Sequence, residues 1–491
     1  MNQNNEIIQK YWGYFALFAW IGLAITLDLV RLSPFAIDEG AAKGLLLTWT
    51  IADNVVNPIV IFGMPDFRAL LYAPIGAYWS GNLLATKIMS LIIAFISVTL
   101  FYRWARRTFD TESALIASVL LLLSPVMISQ VDSLASGPYI LLGFALGAWL
   151  DNAYRKNDKY FGGWYFSQML WVAILATLHP MALAYPIALA WHWRNNPHAV
   201  KKSRHVFVGI GISILLALSM QMGWSNIELF GNPFQALSES LQGAIVWSIA
   251  DLNWMPGIIF GSLLIILIAF DFKNLTKDFL SQMLLICIAI GLLMPDESWA
   301  LICMTLVLYR GTHLLIRFNQ SRYKAGFLGQ RGIVSVIAAG ICLFFMFQDK
   351  NHALTIKHAI LAPEDEMIQS LIVEAEDDLK PFRAASQWPG RTMLATKRDV
   401  LPLPPAFDDS EEMLKAVKSV THLMFDPYVE ENKPLSDAIA NLRGETETLA
   451  LFKAGVIVKV KHSDVPLSTG QRLAKEAKER ENDKKEDNSS E

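Results

Sequence analysis

The stretch RLSPFAIDEGAAKGLL (residues 31–46) puts two acids, Asp38 and Glu39, directly after an apolar run long enough to cross a bilayer. The pair reads either as a solvated helix end at the membrane edge or as a carboxylate that takes a proton from an attacking hydroxyl or amine. The second reading needs a dry, pre-organised pocket, which a loop resting in the interface can supply. Asp132, in SPVMISQVDSLASGPY, falls on the same side and reads either as the N-cap of the following helix or as part of a site. A phosphate-bearing substrate would need cations there. The sequence offers few: Lys43, Arg68 and His179, the last also readable as a polar helix break satisfied by a backbone carbonyl. Tyr72, Pro74, Tyr78 and Trp79 lead into the next apolar run, as site residues or as an interfacial aromatic belt.

The elements that would position these residues are membrane spans. Of 491 residues 53% are hydrophobic and 18% charged, with mean hydropathy +0.34. Several apolar runs reach the roughly 20 residues of a bilayer crossing. The fold class is a polytopic α-helical membrane protein with about eleven spans. They are expected near residues 11–30, 82–102, 112–130, 134–150, 164–179, 181–193, 205–223, 256–271, 279–294, 298–316 and 331–348. The first is longer than a signal-peptide core and lacks a small-x-small cleavage site, so it is expected to be retained. His179-Pro180 separates the fifth and sixth, which also read as one broken segment. The basic loops RWARR (103–107), YRKNDK (154–159), RNNPHAVKKSR (194–204) and RFNQSRYKAGFLGQR (317–331) all fall on the N-terminal side. By the positive-inside rule that side is cytoplasmic, and the C-terminal region lies outside the cytoplasmic (inner) membrane.

Within the first outer loop, residues 31–81, the stretch 41–63 mixes charges and tryptophan with aliphatics, which predicts one or two helices in the interface plane. Beyond residue 350 the composition shifts. Helical spacing runs over 367–382, 410–417 and 434–442, and strands are expected at 391–396, 420–426, 448–453 and 456–461, with a tight turn at Ala454-Gly455. The expected domains are a membrane domain 1–349, a small extracytoplasmic α/β domain 350–468 and a charged, disordered tail 469–491. Cys287, Cys303 and Cys342 lie in apolar runs and read as small core residues. Gly143 and Gly147 in GFALG predict a close helix contact. Asp251 and Asp296-Glu297 fall on the outer side as polar turns or acceptor contacts. Net charge is −3, so nothing points to nucleic acid. No Walker loop, GxGxxG after a strand, HExxH or paired CxxC is present.

The order of features resembles a known family. A first span is followed by an Asp-Glu loop and a Tyr/Pro-bearing lead-in. Residues 83–150 then carry a basic turn with Arg-Arg-x-Phe, a Ser-Pro at the end of the third span and an Asp before the fourth. This resembles the GT-C-type membrane glycosyltransferases, which include the protein O-mannosyltransferases and the bacterial aminoarabinose transferases. The likeness is closest over 11–195 and architectural beyond it, and an outer α/β domain after the last span is also similar to members of the group. It implies sugar transfer outside the membrane, from a polyprenyl-phosphate-linked donor to a lipid, protein or glycan. Residue by residue, Asp38 matches the catalytic carboxylate that deprotonates the acceptor while the anomeric carbon inverts. Glu39 matches the second acid, which orients the acceptor or a divalent cation, and Asp132 matches the acid opening the fourth span. Lys43, Arg68, Tyr72 and His179 are the remaining substrate-binding candidates. The stretch DFRALLYAP (66–74) departs from the aminoarabinose transferases, which have a Lys before a Pro-Pro pair, and MPDESW stands where many relatives have Arg-Tyr. Two other functions fit an envelope protein of this kind: a transporter or flippase with buried carboxylates as proton relays, or a non-catalytic assembly protein.

Overall fold

The computed structural model of the protein describes residues 3–53, 67–79, 81–154, 161–194, 200–219, 254–293, 298–322, 327–376, 380–407, 409–442 and 444–466. Asp251, Asp296, Glu297 and the tail beyond residue 466 lie outside them. The chain divides into two compact units, residues 1–34 with 63–360 and residues 35–62 with 361–491. Part of the first loop, assigned from sequence to the membrane domain, therefore clusters with the C-terminal region.

The first unit is helical. It contains α1 (Gln3–Thr26), α3 (Phe67–Tyr78), α4 (Leu83–Thr108), α5 (Thr111–Leu122), α6 (Pro125–Asp132), α7 (Gly137–Tyr154), α8 (Phe161–Leu178), α9 (Ala184–Arg194), α10 (Val200–Ser219), α11 (Trp254–Leu275), α12 (Phe279–Leu293), α13 (Ser298–Leu306), α14 (Thr312–Arg322) and α15 (Phe327–Lys357). Among the described residues, three stretches are long and apolar enough to cross a membrane, Leu83–Thr108, Phe161–Leu178 and Ser298–Arg317, or four counting the bent pair α5–α6. Exposed apolar side chains such as Phe18, Ile92, Phe166, Leu215 and Phe270 suit a lipid surround.

Local chemistry explains the breaks. Asn82 caps α4, its Oδ1 accepting the Ala85 amide at 3.1 Å, and Arg106 and Arg107 complement the dipole in the last turn. The third expected span is not straight. It bends by 48° between α5 and α6, where Ser124 caps a helix that Pro125 begins. His179 and Pro180 likewise end α8, and a short 3-10 turn, Pro180–Leu183, leads into α9. Ser298–Arg322 contains a π-helical segment, Val307–Gly311. The predicted glycine contact is present: a Cβ on Gly143 would meet Leu175 of α8, and one on Gly147 would meet Tyr185 of α9.

In the second unit a five-stranded sheet runs in the order β2-β1-β3-β5-β4, from β1 (Ala384–Ser386), β2 (Val400–Pro402), β3 (His422–Phe425), β4 (Thr446–Phe452) and β5 (Gly455–Val460). β1 pairs in parallel with β2 and β3, whereas β5 runs antiparallel to β3 and β4. Its helices are α2 (Glu39–Asp53), α16 (Pro363–Ala375), α17 (Pro389–Thr396), α18 (Ser410–Lys418) and α19 (Lys433–Asn441). Met413, Val417, Leu423, Phe425, Leu435, Ile439 and Val458 build the core. Gly455 is required at the β4–β5 turn: its φ is +146°, and a Cβ there would sit 2.3 Å from the Phe425 carbonyl oxygen.

One expectation changes here. Residues 391–396, read as a strand, are helical. Pro389 starts the helix, and its first free amides meet a carboxylate from residue 39. The helix expected over 41–63 is present in its described part as α2, which packs against α17.

Candidate functional site

The helical unit holds a buried ion cluster. Lys87, one turn into α4, and Asp132, the last residue of α6, pair at 2.9 Å, and both side chains are buried. The Ser33 amide donates to Asp132 Oδ1 at 2.6 Å, and the Lys87 ammonium donates to the Ser33 carbonyl. His352 of α15 approaches the second oxygen, Nε2 lying 3.5 Å from Asp132 Oδ2. A charge this deep persists because its partner and hydrogen bonds replace water. Three other chain segments converge on this one carboxylate. An open cavity of about 600 Å³ is lined by residues 32–34 and 81–84. Ser33 belongs to both cluster and cavity.

The other expected residues of this unit are tied into its fold. Asp132 does not cap α7, which begins at Gly137; it ends α6 and serves the cluster. Arg68 is buried and donates from Nη1 to the Leu134 carbonyl at 2.8 Å. Leu134 adopts a left-handed φ of +59°, unfavourable for its side chain, so Arg68 pins a strained turn two residues beyond Asp132. Tyr72 is buried with its hydroxyl 2.7 Å from that of Tyr139, whereas Tyr78 and Trp79 are exposed, as a membrane-edge aromatic pair would be. His179 Nδ1 accepts the Met181 amide at 3.1 Å. A second polar cluster gathers near the other end of α4. There buried Arg310 meets Asp271 at 3.6 Å and Asp278 at 3.9 Å, and Trp104 donates to Asp278 at 3.0 Å. Trp104 and Lys87 are about 26 Å apart along α4, at 1.5 Å per residue.

Asp38 and Glu39 belong to the second unit. Asp38 precedes α2, and its Oδ2 accepts the Ala41 amide at 3.0 Å. Glu39 turns both carboxylate oxygens to the start of α17: Oε1 accepts the Gly390 amide at 2.6 Å and Oε2 the Arg391 amide at 3.0 Å. Lys43 lies 3.7 Å from Glu39. Burial pushes the Glu39 carboxyl up, against the opposing pull of Lys43 and the two amides. The Arg391 side chain pairs with Asp365 of α16 at 2.6 Å. Among the described residues no group of three or more His, Cys, Asp or Glu side chains is placed to hold a metal ion.

Sequence reasoning missed Lys87, His352 and Gly390. Lys87 was the most findable, because a lone lysine five residues into an apolar span must be paired or snorkel. Nothing local marks His352 or Gly390, whose partners lie far away in sequence.

No protein-family model matches the chain, and no curated protein matches its sequence. Its fold does match solved structures. ArnT from Cupriavidus metallidurans in the apo state is similar with a TM-score of 0.55 at 12% identity, over 91% of this chain and 98% of that one. The same protein bound to undecaprenyl phosphate gives 0.52 at 11% identity, over 90% and 97%. The archaeal oligosaccharyltransferase AglB from Archaeoglobus fulgidus, in complex with an inhibitory peptide and a dolichol-phosphate, gives 0.52 at 11% identity, over 89% and 69%. The chain thus has the fold of the GT-C glycosyltransferases that its sequence resembles. Its described apolar helices include three long and apolar enough to cross a membrane.

Proposed function

We propose that the chain is an integral-membrane glycosyltransferase of the cytoplasmic (inner) membrane. It moves a sugar from a polyprenyl-phosphate-linked donor to a lipid, protein or glycan acceptor on the extracytoplasmic side. The observation that carries this reading is the likeness to ArnT over nearly the whole of both chains. About eleven crossings put the N-terminus inside and the C-terminal unit outside, as the basic loops require.

In the reaction the acceptor oxygen or nitrogen forms a bond to the anomeric carbon as the bond from that carbon to the phosphate oxygen breaks. Polyprenyl phosphate departs with the electron pair. A phosphate leaves without strong acid help, so one base for the acceptor proton suffices. Asp38 is the proposed base, since one of its oxygens accepts its own helix amide and fixes the carboxylate's direction. Lys87 and Asp132 stand at helix ends rather than at mid-span, where a proton-relaying transporter would place them.

Purified full-length protein given a radiolabelled polyprenyl-phosphate sugar and membrane extract is expected to pass label to an acceptor. Failure with every donor sugar tried would refute the reading.

A further inference from the structure

Glu39 follows the proposed base directly, yet its carboxylate faces Gly390 and Arg391, some 350 residues away in sequence. Its two oxygens accept two of the amides that every helix leaves unpaired at its start, where the helix dipole favours negative charge. The contact is fitted on both sides. A Cβ on Gly390 would lie 2.8 Å from Glu39 Oε1 and 2.9 Å from Lys43 Cγ, so any larger residue there would push against the contact. The chain of contacts continues through Arg391 to Asp365, which is buried in α16. At the other end, one residue before Glu39, Asp38 holds the Ala41 amide. A carboxylate with both oxygens committed to backbone amides is poorly placed to serve an acceptor or a cation as well.

We infer that Glu39 is a positioning residue: it locks the start of α2 to the N-terminus of α17, so that the C-terminal unit sets the orientation of Asp38. The inference rests on the reading of Asp38 as the general base. It also gives α17, and α16 behind it, a part in the reaction through the contact of α17 to α2. Displacing a reacting group by about 1 Å costs up to about 100-fold in rate.

The test compares full-length wild type with Glu39→Gln, Gly390→Ala and Asp38→Asn, by amide hydrogen exchange and by sugar transfer. Gln replaces one acceptor oxygen with a donor facing an N–H, and the added methyl of Ala pushes the same contact apart from the other side. Both variants are expected to speed exchange at Gly390, Arg391 and Ala41 by about tenfold or more, with β3 and β5 unchanged. Both are expected to lower kcat about 10- to 100-fold while the donor KM stays within about twofold. Asp38→Asn should abolish transfer and leave Gly390 and Arg391 protected. Unchanged exchange at Gly390 and Arg391 in Glu39→Gln would overturn the inference, as would faster exchange with kcat intact. If wild type transfers no sugar, the transferase reading falls by itself, and the Ala41 and Gly390 amides still decide whether Glu39 orients Asp38.

Discussion

Replacing Asp132 tests the buried cluster most severely. Its side chain and that of Lys87 are 4% and 0% exposed, so Asp132→Asn leaves an ammonium deep in the protein facing a neutral amide. Removing one member of a buried pair costs about 3–5 kcal/mol, because the other charge stays desolvated. Lys87→Met should cost less, about 2–3 kcal/mol, since Asp132 keeps the Ser33 amide and the nearby His352. The double variant Lys87→Met/Asp132→Asn removes both charges and should cost less than the two singles combined, with a coupling of about 2 kcal/mol. At roughly 2 °C per kcal/mol for a chain of this size, Asp132→Asn lowers the unfolding midpoint in detergent by about 6–10 °C, read by tryptophan fluorescence. Additive effects in the double variant, or single shifts under about 2 °C, would refute the claim that this pair is both buried and coupled.

Two further predictions concern the C-terminal unit. His422, packed against Phe382 and within 3.6 Å of Glu374, is held by burial at a pKa of about 4, below its ordinary value, despite the pull of Glu374. The unfolded chain takes up a proton near the ordinary value and the folded one only near 4. Stability is therefore full above about pH 6.5 and falls by about 3 kcal/mol as pH drops to 4. Hydrogen exchange of the β3 and β5 amides against pH should show this acid sensitivity, and His422→Gln should flatten it. Gly455→Ala forces a side chain into a left-handed backbone against the Phe425 carbonyl, and should destabilise the β4–β5 hairpin by about 1–3 kcal/mol. Unaltered exchange in β5 would count against it.

Much of the helical unit was legible because an apolar run long enough to span a bilayer leaves few alternatives, and His179-Pro180 announced an interruption, whereas the bend at Pro125 fell inside a run apolar enough to be read as one continuous span. The strands β3, β4 and β5 were legible from their β-branched and aromatic composition. β1 and β2, three residues each, are too short to carry a pattern. Residues 391–396 carry Thr, Met and Leu that suit a strand as well as a helix, and Pro389 together with a carboxylate from residue 39 decided for the helix. The same distant contact explains Glu39. Beside Asp38 it reads as a second acid of a reactive pair, and only folding reveals that its oxygens are spent on α17. Asp132 was singled out as a helix cap or a site residue, but its partners Ser33, Lys87 and His352 come from three other segments, and no spacing rule connects them.

The most direct measurement is the rate at which purified full-length protein, in lipid vesicles, moves label from a radiolabelled polyprenyl-phosphate sugar to acceptors in membrane extract, for wild type and Asp38→Asn side by side. Wild type should transfer, and the variant should be slower by about 100- to 10,000-fold, the usual contribution of a general base. Equal rates in the two proteins would remove Asp38 from the chemistry, and no transfer by wild type would contradict the account as a whole.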